Sequence, residues 1–514
     1  MPRVACDIWM AGPGEHDAER PDRALLPQLR RFAQTRPAAA AIVEPGRVMD
    51  WQGLWQAVMA AAASAARVPE PDPVGLVLGA GIDHAVCLLG CLAAGRIAMT
   101  LDPSLPPVRR AALAAQAGLG AAFGQAADLP PGCRQLVLAA VEGGGALAEA
   151  DATAPALISA TSGTTGLPKL VVHHRRAIAY QAWGNIDLVG ATEADRLLFL
   201  GGHASVAHAM HLLTALLAGG AFLACDVGSA GVSGLMAMAA AHRPTLLRAV
   251  PTLARVLPRQ REAAAVLGAV RAVRLVGEAV TVADVAALRS VLPGTARIIS
   301  SYSATETIPF DHELPLGPAG EDGVALPSGR LRPGGVFALL DEEGRGVPPG
   351  VAGEVVVRSR FNALGEWRAH APRRGGACMD GRMLRDPDDP EGRIYRTGDL
   401  AMLDGEGRLC VLGRRDREVK VNGTRVDVTE VEAVLRGLPG VRDAAVVPRG
   451  DATRRTLAAF VVTERSVAEL RAGLAARLPR PSVPAEVVAV AEIPLMPAGK
   501  LDVRALLALL GEAL

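Results

Sequence analysis

The feature that most constrains the fold of this chain is an alternation of helical and strand-like segments over roughly its first four hundred residues. Residues 52–67 and 82–95 have helical patterns, and residues 73–78 (PVGLVL) between them form the short apolar run of a buried strand. Runs at 336–341 and 353–359 also indicate strands. This alternation predicts an α/β fold in which sheets are covered by helices.

A second pattern begins near the polar run GRRDRE at residues 413–418. Two helical segments and three strand-like runs follow it, at 428–438, 466–478, 442–449, 457–463 and 485–490. This is typical of a small α+β unit of about 100 residues.

We therefore predict an N-terminal domain at residues 1–414, a mobile C-terminal domain at 415–514, and a hinge between them. The Arg-, Gly-, Asp- and Pro-rich stretch at 360–392 predicts an irregular surface segment.

Composition excludes several classes of partner. Lys plus Arg is 54 and Asp plus Glu is 53, so the net charge of +1 gives no reason to expect nucleic acid or an anionic membrane. Apolar stretches end well before the roughly 20 residues that span a bilayer. The first residues do not resemble a signal peptide, and the seven scattered Cys fit reduced thiols. We expect a cytoplasmic protein.

Lysine is scarce in this chain. Arg supplies nearly every cation, and only Lys169, Lys420 and Lys500 remain. Lys and Arg replace each other on a solvated surface, but not where a compact point charge on a slim stem is needed. The three Lys are therefore candidate functional residues, although a GC-rich genome could also leave three by chance.

The strongest motif is TSGTTGLPK at residues 161–169, which follows an apolar strand and precedes a pattern that we interpret as helical. Glycines let the backbone approach an anion, and hydroxyls and loop N–H groups donate to phosphate oxygens. The motif is not a P-loop, because Pro168 precedes the Lys. The candidate phosphate-binding residues are Thr161, Ser162, Gly163, Thr164, Thr165, Gly166 and Lys169.

Five motifs in order make the chain resemble the adenylate-forming superfamily of acyl-CoA synthetases, luciferases and nonribosomal-peptide-synthetase adenylation domains. The segments are TSGTTGLPK, SYSATET at 301–307, YRTGDLAML at 395–403, GRRDREVKVNGTRVDVTEVE at 413–432 and PLMPAGKLD at 494–502. The hinge segment is most similar to that of peptide-synthetase domains. The resemblance implies ATP and Mg²⁺ as cofactors.

The resemblance also implies roles for the residues of the nucleotide site. Glu306 would hold Mg²⁺, a hard cation that prefers oxygen ligands, and Thr305 would hydrogen-bond a phosphate or the adenylate. Tyr302 would lie against the adenine. Asp399 would accept the ribose hydroxyls, and Arg414 would support the ribose.

Other matching positions belong to the strand end beside the nucleotide and to the mobile domain. Gly277 and Glu278 match a Gly–Gly–Glu strand end whose first Gly is here Val276, which would narrow the pocket. Lys500 would be the catalytic cation, because a carboxylate that attacks the α-phosphate brings two anions together. Asp416 matches the hinge, and Lys420 on the following strand is a candidate for the second half-reaction.

The acyl pocket of the resembling family gives expectations about the substrate. Members that activate α-amino acids pair the ammonium with an Asp, but residues 196–225 contain no Asp or Glu, and Val206 stands at that position. An unpaired buried ammonium is heavily penalised, so a free α-amino acid is disfavoured. His203 suggests aryl-acid-activating members, although Ala204 replaces their Asn. We assign His208 and Ser301 to the pocket too.

Arg274 falls at a pocket-lining position of the family. If it points inward it must meet an anion or several acceptors, and the substrate would then carry a second polar or anionic group. The alternative is that Arg274 turns to solvent.

The sequence therefore predicts ATP-dependent activation of a carboxylic acid to its acyl-adenylate, followed by transfer to a thiol. We expect the acceptor to be the phosphopantetheine of a discrete carrier protein, because no carrier segment follows PLMPAGKLD. A coenzyme A ligase, an amide synthetase, an amino-acid-activating enzyme and a non-catalytic adenylate-binding protein are the alternatives. The last should lack Lys500 or Glu306, and both are present.

Overall fold

The computed structural model describes most of the 514 residues. The described ranges are 9–11, 25–138, 151–161, 169–315, 325–369, 377–379, 381–414, 418–421, 424–449, 456–478, 482–496 and 501–510.

The helices of these ranges are short to medium in length. They are α1 (Leu25–Thr35), α2 (Trp51–Ala65), α3 (Ile82–Ala93), α4 (Pro107–Ala117), α5 (Arg175–Val189), α6 (Val206–Leu217), α7 (Val227–His242), α8 (Pro251–Ala254), α9 (Ala263–Val266), α10 (Val282–Arg289), α11 (Val428–Arg436), α12 (Val467–Ala475) and α13 (Val503–Ala508).

The strands alternate with these helices up to α10. They are β1 (Met10–Ala11), β2 (Ala40–Glu44), β3 (Arg47–Asp50), β4 (Val74–Val77), β5 (Ala98–Thr100), β6 (Ala121–Gly124), β7 (Arg134–Leu136), β8 (Pro155–Thr161), β9 (Lys169–His174), β10 (Arg196–Leu200), β11 (Ala221–Leu223), β12 (Leu246–Ala249), β13 (Ala272–Val276), β14 (Arg297–Tyr302), β15 (Phe310–Leu314), β16 (Arg330–Leu331), β17 (Gly335–Leu340), β18 (Gly353–Ser359), β19 (Gly365–Trp367), β20 (Ala377–Cys378), β21 (Met383–Arg385), β22 (Arg393–Leu403), β23 (Leu409–Arg414), β24 (Glu418–Val421), β25 (Thr424–Asp427), β26 (Val441–Arg449), β27 (Thr456–Thr463) and β28 (Glu486–Ala489).

Two large sheets and a smaller one form the part before residue 415. A nine-stranded sheet has the order β16-β15-β14-β13-β12-β10-β11-β2-β3, and an eight-stranded sheet has the order β20-β19-β9-β8-β5-β4-β6-β7. The third sheet runs β1-β17-β18-β22-β21, with β23 paired to β22. The central strands of both large sheets are parallel, as expected when helices cover the sheet faces.

The largest apolar core lies between the two large sheets. Helix α3 contacts strands of both, and so does α6. The side chains of α3 are almost all buried, because the run AVCLLGCLAA is apolar on every face and has a sheet on each side. Cys87 and Cys91 belong to this core. The α/β fold class predicted from the sequence is confirmed.

Local signals explain where helices begin. The Asp50 carboxylate accepts a hydrogen bond from the Gly53 N–H at 2.7 Å and caps α2, so this helix starts at residue 51, one residue before the predicted start. The Ser205 hydroxyl accepts from the His208 N–H at 3.3 Å and caps α6.

The segment 360–392 differs from the prediction of an irregular surface stretch. It contains β19, β20 and β21, and the Trp367 side chain is buried, with Nε1 donating to the Ala117 carbonyl at 3.0 Å. Its Gly and Pro content concealed short strands of two or three residues, which are held by pairing with neighbouring strands such as β9 and β22.

The C-terminal part has a separate three-stranded sheet, β26-β27-β28, with its own apolar core under α11 and α12. The helices and strands predicted there are present, and their ends differ from the prediction by at most three residues. Among the helices of the described ranges, none combines the length and the apolar character that crossing a bilayer requires.

Candidate active site

Four neighbouring strands in the middle of the nine-stranded sheet end at the same edge. Strands β10, β12, β13 and β14 are parallel neighbours. Ligands of open parallel sheets bind outside the carboxyl ends of the strands. Three predicted site residues follow these ends directly, namely His203 after β10, Glu278 after β13 and Thr305 after β14.

The turn after β13 depends on a glycine. Gly277 has φ +105°, which a residue with a side chain rarely adopts. Val276 is buried and pairs in register with Ser301 of β14, so the two predicted pocket residues are neighbours. The Glu278 carboxylate lies 3.9 Å from Nη1 of Arg255. Arg255, which the sequence did not single out, is held at 2.5 and 3.1 Å by Asp284.

Two predicted nucleotide residues from different motifs are in direct contact. The Tyr302 hydroxyl donates a hydrogen bond to Oδ2 of Asp399 at 2.5 Å, across a sequence separation of 97 residues. Burial first, and then the Asp399 carboxylate, raise the pKa of Tyr302 well above its usual range. The phenol therefore stays protonated and acts as the donor.

The backbone around Asp399 is fixed by its own motif. The Thr397 hydroxyl accepts from the Asp399 N–H at 3.0 Å and donates to the Val355 carbonyl at 2.9 Å. Gly398 has φ +74°, a left-handed backbone conformation that favours glycine. The backbone of Arg414 pairs in register with Asp399, which makes the two predicted ribose residues cross-strand neighbours.

The turn that carries Thr305 and Glu306 is tied to the eight-stranded sheet. The Ala363 N–H donates to the Glu306 carbonyl at 2.8 Å, and the next residue, Leu364, donates to the Val172 carbonyl of β9 at 2.8 Å. This segment therefore joins the turn to the strand that begins at Lys169. Thr305 and Glu306 are both half-buried.

The ends of the predicted phosphate loop face each other across two antiparallel strands. Thr161 and Lys169 are register partners on β8 and β9, and the Thr161 hydroxyl donates to the Lys169 carbonyl at 3.3 Å. The expectation that a helix follows the loop is wrong: β9 comes first, because LVVHH is rich in β-branched residues, and α5 begins only at Arg175. Five predicted loop residues lie outside the described residues: Ser162, Gly163, Thr164, Thr165 and Gly166.

Four predicted site residues from Arg414 onward have no described side chain. Asp416 and Lys500 lie outside the described residues, as do the side chains of Arg414 and Lys420. Their assignments as hinge, catalytic cation, ribose contact and second-step residue stay predictions.

The residues assigned to the acyl pocket gather at the start of α6. Val206 is the first residue of this helix and is buried, and the His203 and His208 rings are buried beside it. The His208 ring meets Phe199 and His84 edge-on, at centroid distances of 5.3 and 5.2 Å. Burial lowers the pKa of His208 to about 3, so this imidazole is neutral at physiological pH.

Arg274 points inward, and its partners belong to the protein. Nε donates to the Ser301 hydroxyl at 2.8 Å, Nη1 to Oδ1 of Asn185 at 2.8 Å and Nη2 to Oδ1 of Asp311 at 3.1 Å. Asp311 also pairs with Arg332. The alternative in which Arg274 turns to solvent is wrong. Its anion is Asp311, so Arg274 does not require one on the substrate.

Sequence reasoning missed two buried residues at this edge. Arg248, in the apolar strand run LLRA, could have been noticed, because a charge in a buried strand needs a partner. Asn362 gave no signal. Its amide accepts from the Thr307 hydroxyl at 2.7 Å and donates to the Val357 and Arg393 carbonyls at 3.0 and 2.9 Å. It therefore fixes the turn after Glu306.

Comparison with known proteins agrees with this arrangement. The sequence profile of AMP-binding enzymes matches residues 29–367, and that of the AMP-binding enzyme C-terminal domain matches residues 430–500. The chain belongs to the AMP-binding enzyme family. The membership in the adenylate-forming superfamily that was predicted from the motifs is thus confirmed.

Curated relatives are much longer synthetases. The chain is 31% identical over 522 residues to an isonitrile lipopeptide synthase of Streptomyces coeruleorubidus, covering 95% of this chain and 34% of that one. It is 32% identical over 445 residues to CymA, a probable non-canonical nonribosomal peptide synthetase of Salinispora arenicola (strain CNS-205). This match covers 84% of this chain and 5% of CymA. The chain thus spans about a third or less of the length of these relatives.

Solved structures share the fold. A four-domain nonribosomal peptide synthetase bound to AMP and glycine, holo-AB3403, matches with a TM-score of 0.79 at 24% identity, over 96% of this chain and 36% of that one. The anthranilate CoA ligase AuaEII in complex with anthranoyl-AMP matches with a TM-score of 0.78 at 21% identity. This match covers 96% of this chain and 100% of the ligase chain.

Proposed function

We propose that this chain uses ATP to activate a carboxylic acid as its acyl-adenylate and then transfers the acyl group to a thiol. The observation that carries the proposal is the contact between Tyr302 and Asp399 beside the carboxyl end of β14. Two distant motifs of one nucleotide-binding family meet there, next to the turn of Thr305 and Glu306.

The first half-reaction exchanges one phosphate bond for another. A carboxylate oxygen attacks the α-phosphorus, an oxygen–phosphorus bond forms, and the bond to the bridging oxygen of pyrophosphate breaks. Because the attacking group and the phosphate are both anions, the protein has to supply positive charge. We assign this role to Lys500, with Lys169 and the loop hydroxyls at the leaving phosphates.

Glu306 is the candidate ligand of Mg²⁺. The described residues contain no cluster of three or more His, Cys, Asp or Glu that could hold a metal alone. A single half-buried carboxylate fits Mg²⁺, which commonly takes one or two carboxylates together with substrate phosphates and water. When bound, the ion would neutralise charge on the phosphates.

The pocket favours an acid without a free α-amino group. An ammonium near the start of α6 would meet Val206 rather than a carboxylate, and it would lie in the field of Arg248 and Arg274. The nearby carboxylate of Asp311 is already shared by two guanidinium groups. A buried ammonium under these conditions is strongly destabilised.

In the second half-reaction, the sulfur of a thiol attacks the adenylate carbonyl, a thioester forms, AMP leaves and the thiol proton passes to solvent. We propose the phosphopantetheine arm of a separate carrier protein as the acceptor. The similarity to peptide synthetases supports this choice, while the fold shared with a CoA ligase makes coenzyme A the second candidate.

The test is ATP–pyrophosphate exchange over a panel of aryl, aliphatic, hydroxy and amino acids. We expect acid-dependent exchange that Lys500→Ala abolishes and that Arg504→Ala, which removes an exposed cation four positions further on, leaves intact. Exchange that survives in Lys500→Ala would refute the assigned role of this residue.

The acceptor is tested separately with the purified adenylate. Incubation with a holo carrier protein, coenzyme A and a simple amine should give product first with the carrier protein. Faster reaction with coenzyme A or with the amine would identify a ligase or an amide synthetase instead.

A further inference from the structure

A row of three side chains crosses the nine-stranded sheet beneath α6. Phe199 of β10 is the register partner of Arg248 on β12, and Arg248 is the partner of Arg274 on β13. Residues at paired positions of neighbouring strands face the same side of a sheet. That side is covered by α6, whose His208 and His211 rings lie 5.3 and 5.4 Å from the Phe199 ring.

The two arginines of this row differ in their hydrogen bonds and in the balance of their charge. All three nitrogens of the Arg274 guanidinium have partners, and Asp311 balances its charge. Arg248 is buried as well, but Nη1 makes only a long 3.4 Å bond to the Leu200 carbonyl. Within the described residues Nε of Arg248 has no hydrogen-bond partner, and no carboxylate forms an ion pair with the group.

Arg248 nevertheless remains a cation at neutral pH. Burial first, and then the neighbouring Arg274, lower the pKa of Arg248 to about 9. Its guanidinium carbon lies 4.9 Å from the centre of the Phe199 ring, a contact that contributes little beside the cost of a buried charge. The site therefore holds positive charge that the described protein groups do not balance.

The surroundings leave room for this guanidinium. A Cβ on Gly201 would lie 2.7 Å from Nη1 of Arg248 and 2.9 Å from Cζ of Phe199. Any other residue at position 201 would displace one of them. The end of β10 thus accommodates Arg248 where it is.

Neighbouring imidazoles also have unused hydrogen-bonding atoms. In the described part of the chain, both ring nitrogens of His208, Nε2 of His203 and Nε2 of His211 are buried without a partner. Buried polar atoms without a partner are unfavourable, because they lose their hydrogen bonds to water and gain none in the protein. Several such atoms around an unbalanced cation indicate a polar ligand.

We propose that Arg248 determines substrate specificity by binding a second anionic group, such as a distal carboxylate, on the acid that this enzyme activates. The inference rests on the proposed function. The reacting carboxylate has to reach the nucleotide at the turn of Thr305 and Glu306, outside the strand ends. Arg248 lies further in, on the helix-covered face, so the anion it binds is a different one. A guanidinium pairs with a carboxylate through two parallel hydrogen bonds, and the neutral His208 can donate another.

The test compares dicarboxylic acids with their half-esters in ATP–pyrophosphate exchange, in aliphatic and aromatic series of increasing length. Each half-ester keeps the reacting carboxylate and the carbon skeleton but loses the distal charge. For the best-fitting skeleton we expect kcat/KM of the diacid to exceed that of its half-ester by at least about tenfold. A wild-type enzyme that prefers the half-ester or a plain monoacid would overturn the inference without any variant.

Variants locate the effect at one residue. Arg248→Met should remove the preference for the diacid and leave half-esters active, whereas Arg248→Lys should retain part of it. Arg175→Met is the matched control, because Arg175 is also largely buried and donates to a backbone carbonyl, that of Leu92. It should keep the diacid preference. Preference that persists in Arg248→Met would also overturn the inference. Absence of exchange with every acid would instead refute the proposed function.

Discussion

Replacing Asp311 by Asn would remove the carboxylate that Arg274 and Arg332 share in the buried wall of the acyl pocket. Oδ1 of Asp311 accepts from Arg274 at 3.1 Å and from the Ser301 hydroxyl at 2.5 Å, and Oδ2 accepts from Arg332. The side chains of Asp311, Arg274 and Arg332 are each 7% exposed. The substitution therefore leaves two buried guanidinium groups without their counter-charge.

The expected cost follows from this burial. Removing one partner of a buried ion pair costs about 3–5 kcal/mol of unfolding free energy, because the remaining charge is left uncompensated. The dependence of the unfolding free energy on acidic pH gives an independent measure of this interaction. Burial alone would raise the pKa of Asp311, but Arg332 and Arg274 outweigh it and lower the pKa to about 2, from 3.8. This stabilisation is present above pH 3.8 and is lost as the pH falls through about 2.

Urea unfolding followed by tryptophan fluorescence is the appropriate assay. All five Trp precede residue 414, so the signal reports on this part of the chain. Glu313→Gln is the matched control on the same strand, because its pair with Arg297 at 2.6 Å is 35–48% exposed and should contribute about 0–1 kcal/mol.

The two variants should also differ in their pH dependence. Between about pH 4 and 2, the unfolding free energy of Asp311→Asn should fall less than that of the wild-type protein. The unfolding free energy of Glu313→Gln, which retains Asp311, should still show the fall that Asp311 causes. If Asp311→Asn were no less stable at neutral pH than Glu313→Gln, the account of a buried shared carboxylate would be wrong.

Three further predictions concern the nucleotide side. Tyr302→Phe removes a hydrogen bond to the Asp399 carboxylate and should raise KM for ATP about tenfold in exchange assays, while KM for the acid stays unchanged. Asn362→Ala removes three buried hydrogen bonds and should lower both the urea midpoint and kcat, with a loss of about 2–4 kcal/mol; an unchanged midpoint would argue against its positioning role. Glu306→Gln should raise the Mg²⁺ concentration needed for half-maximal exchange, and an unshifted Mg²⁺ titration would exclude this residue as the ligand.

Much of the architecture could be predicted from local patterns. Short apolar runs and helical spacing locate strands and helices to within three residues at each end. The sequence pattern did not predict those strands that form by pairing with a neighbouring strand and show no alternation of apolar and polar residues of their own. Residues 365–367 and 383–385 are strands because they pair with β9 and β22. The helical pattern expected after the phosphate loop is α5, but the strand β9 at residues 169–174 comes before it.

The candidate site was predictable only in part, for a similar reason. Motifs identify Tyr302 and Asp399 one at a time, but their contact arises from the packing of two sheets. The sequence of the pocket suggested Arg274 as the unsatisfied cation, because Asp311 lies 37 positions away and gives no sign of pairing with it. Only the structure shows that Arg248, the register partner of Arg274, is a buried cation that no carboxylate of the described residues balances.

The most direct test of the central claim is to follow an isotopically heavy oxygen from the carboxylate of an accepted acid through one complete turnover with a thiol acceptor. If the carboxylate attacks the α-phosphorus of ATP, one heavy oxygen must appear in the AMP released, as mass spectrometry would detect. Unlabelled AMP, or release of ADP in its place, would contradict an acyl-adenylate intermediate.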